Sequence, residues 1–262
     1  MTAIGELGVY ERYVVTAEFY DLMAAPYWAQ VGPLLPGLLG GVDTLAGPVV
    51  DVGAGTGLST VAVAEALPEA EVIAVEPAPA MRSVLMSRLA ARKDLRDRVT
   101  VEPADVFGAA LPRPCAGVVA LGVLGHFDGP GRARLWRLFA DLLAPGAPIV
   151  VEVQQPRRVE PVPARCYTRA RVGRRTYEGW SEAIPVDAER LRWRMTYRNH
   201  PADVRADAGD GPLVEHVTEH VVWPIGPDEA AREATAAGLV PGRGAPGAGL
   251  LVFAAPGSGG AR

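Results

Sequence analysis

The chain has 262 residues, 49% of them hydrophobic, which is enough to bury a large core. Its 26 basic and 30 acidic side chains leave a formal charge of −4, which argues against an electrostatically driven nucleic-acid binder. No stretch approaches the roughly eighteen apolar residues of a membrane span, and Met1–Tyr10 lacks the basic start and apolar run of a signal peptide, so a cytoplasmic protein without a membrane partner is expected.

In chain order, the first predicted element is an amphipathic helix over Tyr10–Leu22 that carries Tyr13 and Tyr20. Tyrosines on such a helix either pack or reach a ligand. Next, Val49–Val52 reads as a strand covered on both faces, and Ser59–Leu67 continues at helical spacing. Between them Gly53-Ala54-Gly55-Thr56-Gly57 supplies a turn whose glycines allow backbone angles and ligand approach that a Cβ would block. The spacing is not the G-x-G-x-x-G of a dinucleotide fingerprint. Asp51 in the strand end suits a ligand bearing an ammonium group better than a pyrophosphate.

The run Asp51-Val52-Gly53-Ala54-Gly55-Thr56-Gly57 resembles the first motif of the class I S-adenosylmethionine (SAM)-dependent methyltransferases. The resemblance implies SAM as cofactor. It also implies that the acid ending the strand Glu71–Glu76, about twenty residues beyond the glycines, accepts hydrogen bonds from both ribose hydroxyls; here that is Glu76. Pro77–Met81 is similar to the family's adenine-lining turn, with Met81 either against the ring or in the core. The third strand starts at Val99 and is followed by Asp105 and Val106, which match the family's acid for the adenine amino group and the amide for the ring nitrogen. An Asp in a turn also serves as a local cap.

Gly117–Asp128 reads as the fourth strand, with Leu121 assigned to the cofactor wall and His126 at the carboxyl end, where ligands of open α/β sheets bind. His126 is either the base that takes the acceptor's proton or a packing residue. An amphipathic helix over Arg132–Leu143, a Pro145-Gly146 turn and a fifth strand ending at Val153 follow, similar to the family's L-x-P-G-G segment with Ala147 in place of the second glycine. The resemblance extends in order over residues 45–155. The N-terminal segment is similar to the A-x-x-Y-D stretch that many of these enzymes fold over the cofactor, which makes Tyr13 and Tyr20 cofactor-contact candidates.

Beyond residue 155, Tyr167–Tyr177, Ser181–Ile184, Leu191–Tyr197 and Leu213–Trp223 read as strands with polar turns, notably Asp207–Gly211. The basic run Arg165–Arg175 reads as an exposed strand face. His216 and His220 share a side of the last strand, which does not by itself make a metal site, and Cys115 and Cys166 lack metal spacing. A comparable insertion covers the acceptor pocket in sugar N-methyltransferases and often mediates dimerisation, which brings in Tyr177, Trp180, Glu182, Trp193, Arg194 and Tyr197 as pocket candidates and a homodimer as an expectation. Pro227–Gly238 is predicted as a helix and Leu250–Ala255 as the last strand, with a frayed end over Gly257–Arg262.

The expected architecture is α/β: a Rossmann-like methyltransferase sheet flanked by helices, with an antiparallel β insertion after the fifth strand. Its parts are an N-terminal helical lid (1–45), a SAM-binding core (46–155), a substrate-covering insertion (156–225) and a C-terminal completion of the core sheet (226–262). The expected function is methyl transfer from SAM to an oxygen or nitrogen of a small-molecule acceptor, a bacterial secondary metabolite, with no nucleic acid and no metal involved. The alternative is a non-methylating cyclisation, elimination or pericyclic step on the same cofactor. His126, Glu182 and Tyr177 are the catalytic candidates. Tyr13, Tyr20, Asp51, Gly53, Ala54, Gly55, Gly57, Glu76, Pro77, Met81, Asp105, Val106 and Leu121 are the cofactor-binding candidates.

Overall fold

Val49–Val52 is buried at every position and becomes an interior strand of a seven-stranded sheet, because its valines meet helices on both faces. The computed structural model describes residue 10, residues 12–202 and residues 214–257. Its strands are β1 (Val49–Val52), β2 (Val72–Val75), β3 (Val99–Glu102), β4 (Gly117–Ala120), β5 (Pro148–Glu152), β6 (Val162–Val172), β7 (Arg175–Pro185), β8 (Leu191–Pro201), β9 (Val214–Val222), β10 (Val240–Pro241) and β11 (Leu250–Ala254). The helices are α1 (Arg12–Val31), α2 (Leu35–Leu38), α3 (Leu58–Ala66), α4 (Pro79–Ala90), α5 (Lys93–Arg96), α6 (Gly129–Leu142) and α7 (Pro227–Ala236).

The large sheet runs β10-β11-β5-β4-β1-β2-β3. β1 to β5 are parallel, and β11 returns antiparallel to β5, pairing Leu250 with Glu152. The order reverses between β1 and β4, which opens a crevice beyond their carboxyl ends. Two apolar layers hold the helices to the sheet, one around Trp136, Phe139 and Phe253, the other around Leu35, Leu85 and Leu95. Helix α6 starts where Asp128 caps it, accepting from the Gly131 N–H at 2.8 Å. Buried Arg132 then ties α6 to α7 through Glu229 at 3.0 Å and Glu233 at 2.9 Å, and Trp136 donates to Glu233 at 3.0 Å.

The fourth strand is shorter than the sequence pattern suggests. β4 ends at Ala120, and the chain passes through Gly122 at φ +70° into a 3₁₀ turn over Leu124–His126. Tyr167–Tyr177 is not one strand. Gly173, at φ +56°, opens a two-residue turn between β6 and β7, so the segment is the tip of a hairpin that pairs Val172 with Arg175. The second sheet is antiparallel in the order β6-β7-β8-β9. The predicted turn Asp207–Gly211 and the end over Ser258–Arg262 lie outside the described residues.

Helix α1 lies against this second sheet, and Phe19, fully buried, stacks on Tyr197 with ring centres 5.0 Å apart and meets Tyr177 edge-on. The approach requires Gly179: a Cβ there would lie 2.6 Å from Met23 Sδ and 2.6 Å from Tyr167 Cζ. On its other side α1 is pinned to the glycine turn. Thr56 donates its hydroxyl to Asp21 at 2.6 Å, Arg88 of α4 pairs with Asp21, and the Arg88 Nε donates to the Thr56 carbonyl at 3.0 Å. The N-terminal helix thus bridges the parallel sheet and the antiparallel one.

Candidate active site

The carboxyl ends of β1, β2, β4 and β5, helix α1 and the inner face of the antiparallel sheet enclose a cavity of about 1920 Å³. That exceeds the roughly 300–1,000 Å³ of an ordinary small-ligand site, so two ligands have room side by side. One end is built from backbone. Gly53 (φ +69°) and Gly55 (φ +57°) take the left-handed turn that β1 needs to enter α3, and both line the cavity. A Cβ on Gly53 would press on Val123 at 2.9 Å, whereas one on Gly55 would point at Met81 Cε at 3.7 Å and take up ligand space.

Glu76 follows β2 and is 6% exposed. Its Oε2 accepts from the Gly55 N–H at 2.8 Å and its Oε1 from the Ala78 N–H at 2.7 Å. Burial pushes its carboxyl above the ordinary range, and these two amides with Arg82 pull it part of the way back. A carboxylate has about four acceptor positions, so the held group can still receive a diol. Pro77, Met81, Val106 and Leu121 supply apolar wall beside it, and Ala54 completes the turn. Asp105 lines the cavity and is also a turn cap, its Oδ1 accepting from Phe107 N–H at 2.8 Å and Gly108 N–H at 3.0 Å.

Three residues of the glycine motif do not reach the cavity, Thr56 being turned to Asp21. Asp51, expected to face an ammonium group, is fully buried beneath the turn, where its Oδ2 accepts the hydroxyls of Ser59 at 2.8 Å and Thr60 at 2.6 Å. Burial lifts its carboxyl to about 6 despite those two bonds. The acid therefore ties β1 to the start of α3. Gly57 (φ +87°) is a packing glycine, since a Cβ would lie 2.4 Å from Leu85 Cδ1.

The other end is built from side chains. Tyr13, Tyr20 and Tyr27 come from α1, His126 from the turn after β4, Glu152 from the end of β5, and Trp193, Tyr197 and His220 from the second sheet. His126 and His220 have ring centres 6.0 Å apart, and the Trp223 N–H donates to the Gly125 carbonyl at 2.9 Å to dock β9 on the His126 turn. His216, on the same side of β9, meets Phe19 instead. Glu182 and Tyr177 are corrections. Side chains alternate across a strand, so Glu182 shares the outer face with Trp180 and Arg194, where it pairs with Arg194 at 3.0 Å; Tyr177 faces inward but packs on Phe19, outside the cavity. Arg169, in the basic run, likewise pairs with Glu178 at 2.7 Å, while Arg165 lines the cavity.

The sequence reading did not single out Tyr27, Glu152 or His220. The signal for Glu152 was present: it is the lone acid in the apolar run Ile149–Val153. It is 8% exposed, and burial raises its carboxyl to about 7, opposed by the nearby Tyr27 hydroxyl and the Gly122 amide.

Residues 49–146 match the family model described as a methyltransferase domain. The Type II methyltransferase M.XamI of Xanthomonas campestris pv. amaranthicola is 43% identical over 72 residues, and the chain spans 13% of that protein's length. Among solved structures, DesVI of Streptomyces venezuelae aligns with a TM-score of 0.65 at 20% identity, over 98% of this chain and 99% of its own. SAM-bound CalS10, an amino pentose methyltransferase from Micromonospora echinaspora, aligns at 0.64 and 20% identity over 86% and 89%. The sugar N-methyltransferase KedS8 from Streptoalloteichus aligns at 0.62 and 21% over 86% and 85%. Residues 49–146 are therefore a methyltransferase domain, carried on the fold of the class I SAM-dependent methyltransferases.

Proposed function

We propose that the chain binds SAM across the ends of β1, β2 and β4 and transfers its methyl group to an oxygen or nitrogen of a small molecule held beneath the antiparallel sheet. The observation that carries this reading is Glu76, fixed by two backbone amides at the mouth of a glycine turn in a cavity large enough for two ligands. The donor set fits the cofactor: a carboxylate for a ribose diol, Met81, Val106 and Leu121 as apolar walls for a purine, Asp105 for an amino group, and a glycine without a side chain, Gly55, in the cavity wall. Among the described residues no helix is long and apolar enough to cross a membrane.

When bound, SAM supplies an activated methyl group with its leaving group attached. The chain's own residues then have three tasks. Tyr13 and Tyr20 on α1 line the cavity and would limit water there. The inner sheet, through Trp193 and Tyr197, orients the acceptor, because proximity and alignment account for much of the acceleration in such transfers. His126, at the end of β4, accepts the proton that the attacking group releases. An acceptor of the sugar or natural-product kind is supported by the chemistry named for CalS10 and KedS8.

Native mass spectrometry with SAM, followed by detection of S-adenosylhomocysteine (SAH) against hydroxylated and aminated small molecules, tests the reading. One SAM per chain and SAH release with an acceptor are expected. Equal retention of NADH, or an altered acceptor with SAM left intact, contradicts it.

A further inference from the structure

Four acids are buried among the described residues, and they differ in how they are satisfied: Glu76 accepts the Gly55 and Ala78 amides. Asp51 accepts two hydroxyls. Glu178, on the outer face of the second sheet, receives Arg169 at 2.7 Å and the Trp180 indole N–H at 2.9 Å. Glu152 is 8% exposed and lines the cavity at the end opposite Glu76; like Asp51 and Glu76 it forms no ion pair with Arg or Lys among the described residues, and its neighbours are the Gly122 amide, the Tyr27 hydroxyl and Tyr20. A carboxylate taken out of water without a cation is costly, and proteins rarely keep one unless something completes it.

We infer that Glu152 is the seat of a cationic group on the acceptor, so that the acceptor is an amine that enters as its ammonium. The inference rests on the methyl-transfer reading and narrows its acceptor. Glu152 ends β5 and Glu76 follows β2, three strand spacings away, or about 14 Å across the sheet at about 4.8 Å per strand. The two acids therefore mark opposite ends of one cavity. His126, after β4, belongs to the turn between them. The hydroxyls of Tyr20 and Tyr27 stand beside Glu152, and each is an acceptor that an ammonium held there can also reach. Of the arginines that line the cavity, Arg134 lies over the Phe107 ring at 3.9 Å and Arg165 stands on β6, and neither pairs with Glu152. The carboxyl also ionises near neutrality, which matches a group that waits for a cation.

The same ammonium chemistry exists on the amino-acid tail of the cofactor, so the test separates the two sources. Wild-type protein saturated with SAH is titrated with tert-butylammonium chloride and with tert-butanol, a near-isosteric neutral probe, at pH 8, with the fluorescence of Trp193 and Trp223 in the cavity wall as readout. Tert-butylammonium is expected to saturate at a concentration at least about tenfold below tert-butanol. In Glu152→Gln that preference should fall to within about twofold while SAH affinity stays within about threefold of wild type, which also shows that the variant is folded. Equal response to the two probes in wild type, or an ammonium preference that survives Glu152→Gln, overturns the inference. So does a loss of SAH affinity of tenfold or more in Glu152→Gln, which would give the carboxylate to the cofactor. Failure of wild type to bind SAH would instead strike the methyl-transfer reading, whereas SAH binding without ammonium preference strikes the inference alone.

Discussion

The two ends of the cavity are built on different principles. At the end proposed for the cofactor, a turn of five residues and the acid after the next strand supply the contacts, largely through backbone amides and left-handed glycines. At the acceptor end, side chains arrive from α1, the turn after β4, the end of β5 and the second sheet, segments separated by up to two hundred residues. The chemistry of the first end is set by short-range geometry. The second is a meeting of distant elements, free to change residue by residue without disturbing the parallel sheet. One fold can thereby keep a cofactor and exchange acceptors.

The sharpest way to test this division is His126→Ala. If His126 accepts the proton, turnover falls by about 10²–10⁴ while SAM affinity changes little, and saturating acceptor does not restore it. Parallel losses in SAM affinity and thermal stability would place His126 in support of the cofactor end instead.

Two glycines split the cofactor end itself. Gly57→Ala drives a Cβ into Leu85 at a left-handed position and should cost about 2–4 kcal/mol of folding stability in chemical denaturation. Gly55→Ala carries only the left-handed strain of about 1 kcal/mol but takes up ligand space, so SAM affinity should drop more than stability does. Similar stability losses in both would erase the distinction between a packing glycine and a cradle glycine.

Glu152→Gln addresses the acceptor end without any acceptor. The folded carboxyl sits at about 7, against an ordinary 4.5 for the unfolded chain. A raised acid contributes stability below the unfolded value and loses it as pH climbs through the folded one. The ligand-free protein should therefore weaken between about pH 4.5 and 7 through this group, and Glu152→Gln should be more stable than wild type at pH 8 by roughly 1–3 kcal/mol. A less stable variant at pH 8 would make Glu152 a structural acid. Stability traded for a charged pocket is expected of a binding residue.

The smallest effects belong to residues that the sequence placed in the pocket and the structure does not. Glu182→Gln and Tyr177→Phe should change turnover by less than about threefold, because Glu182 pairs with Arg194 on the outer face and Tyr177 packs on Phe19. A hundredfold loss in either would mean that the second sheet moves during catalysis.

This contrast also explains what was legible in the sequence. The parallel strands, the glycine turn and Glu76 are local patterns: an apolar run, left-handed residues and a spacing fixed by one strand–helix–strand unit. Asp51 was visible but misdirected, since nothing in the motif tells whether a strand-end acid turns to the ligand or to Ser59 and Thr60 beneath it. Tyr177 lies on the inner face but is taken up by packing on Phe19, which no strand pattern shows, whereas Glu182 failed on the choice of face. Strand periodicity gives two faces without naming which is inner, and in β7 that choice is made by α1, which docks where Gly179 lets it approach. His220 near His126 and Tyr27 near Glu152 depend on how four segments assemble, and no local pattern carries that.

If Glu76 and the glycine turn hold SAM, calorimetric titration of SAH should give one site per wild-type chain and a loss of about 1.5–3 kcal/mol, roughly 10- to 150-fold, in Glu76→Ala, the value of hydrogen bonds to a charged acceptor. Absence of SAH binding to wild type, or a Glu76→Ala affinity within about twofold of it, would take the cofactor away from Glu76.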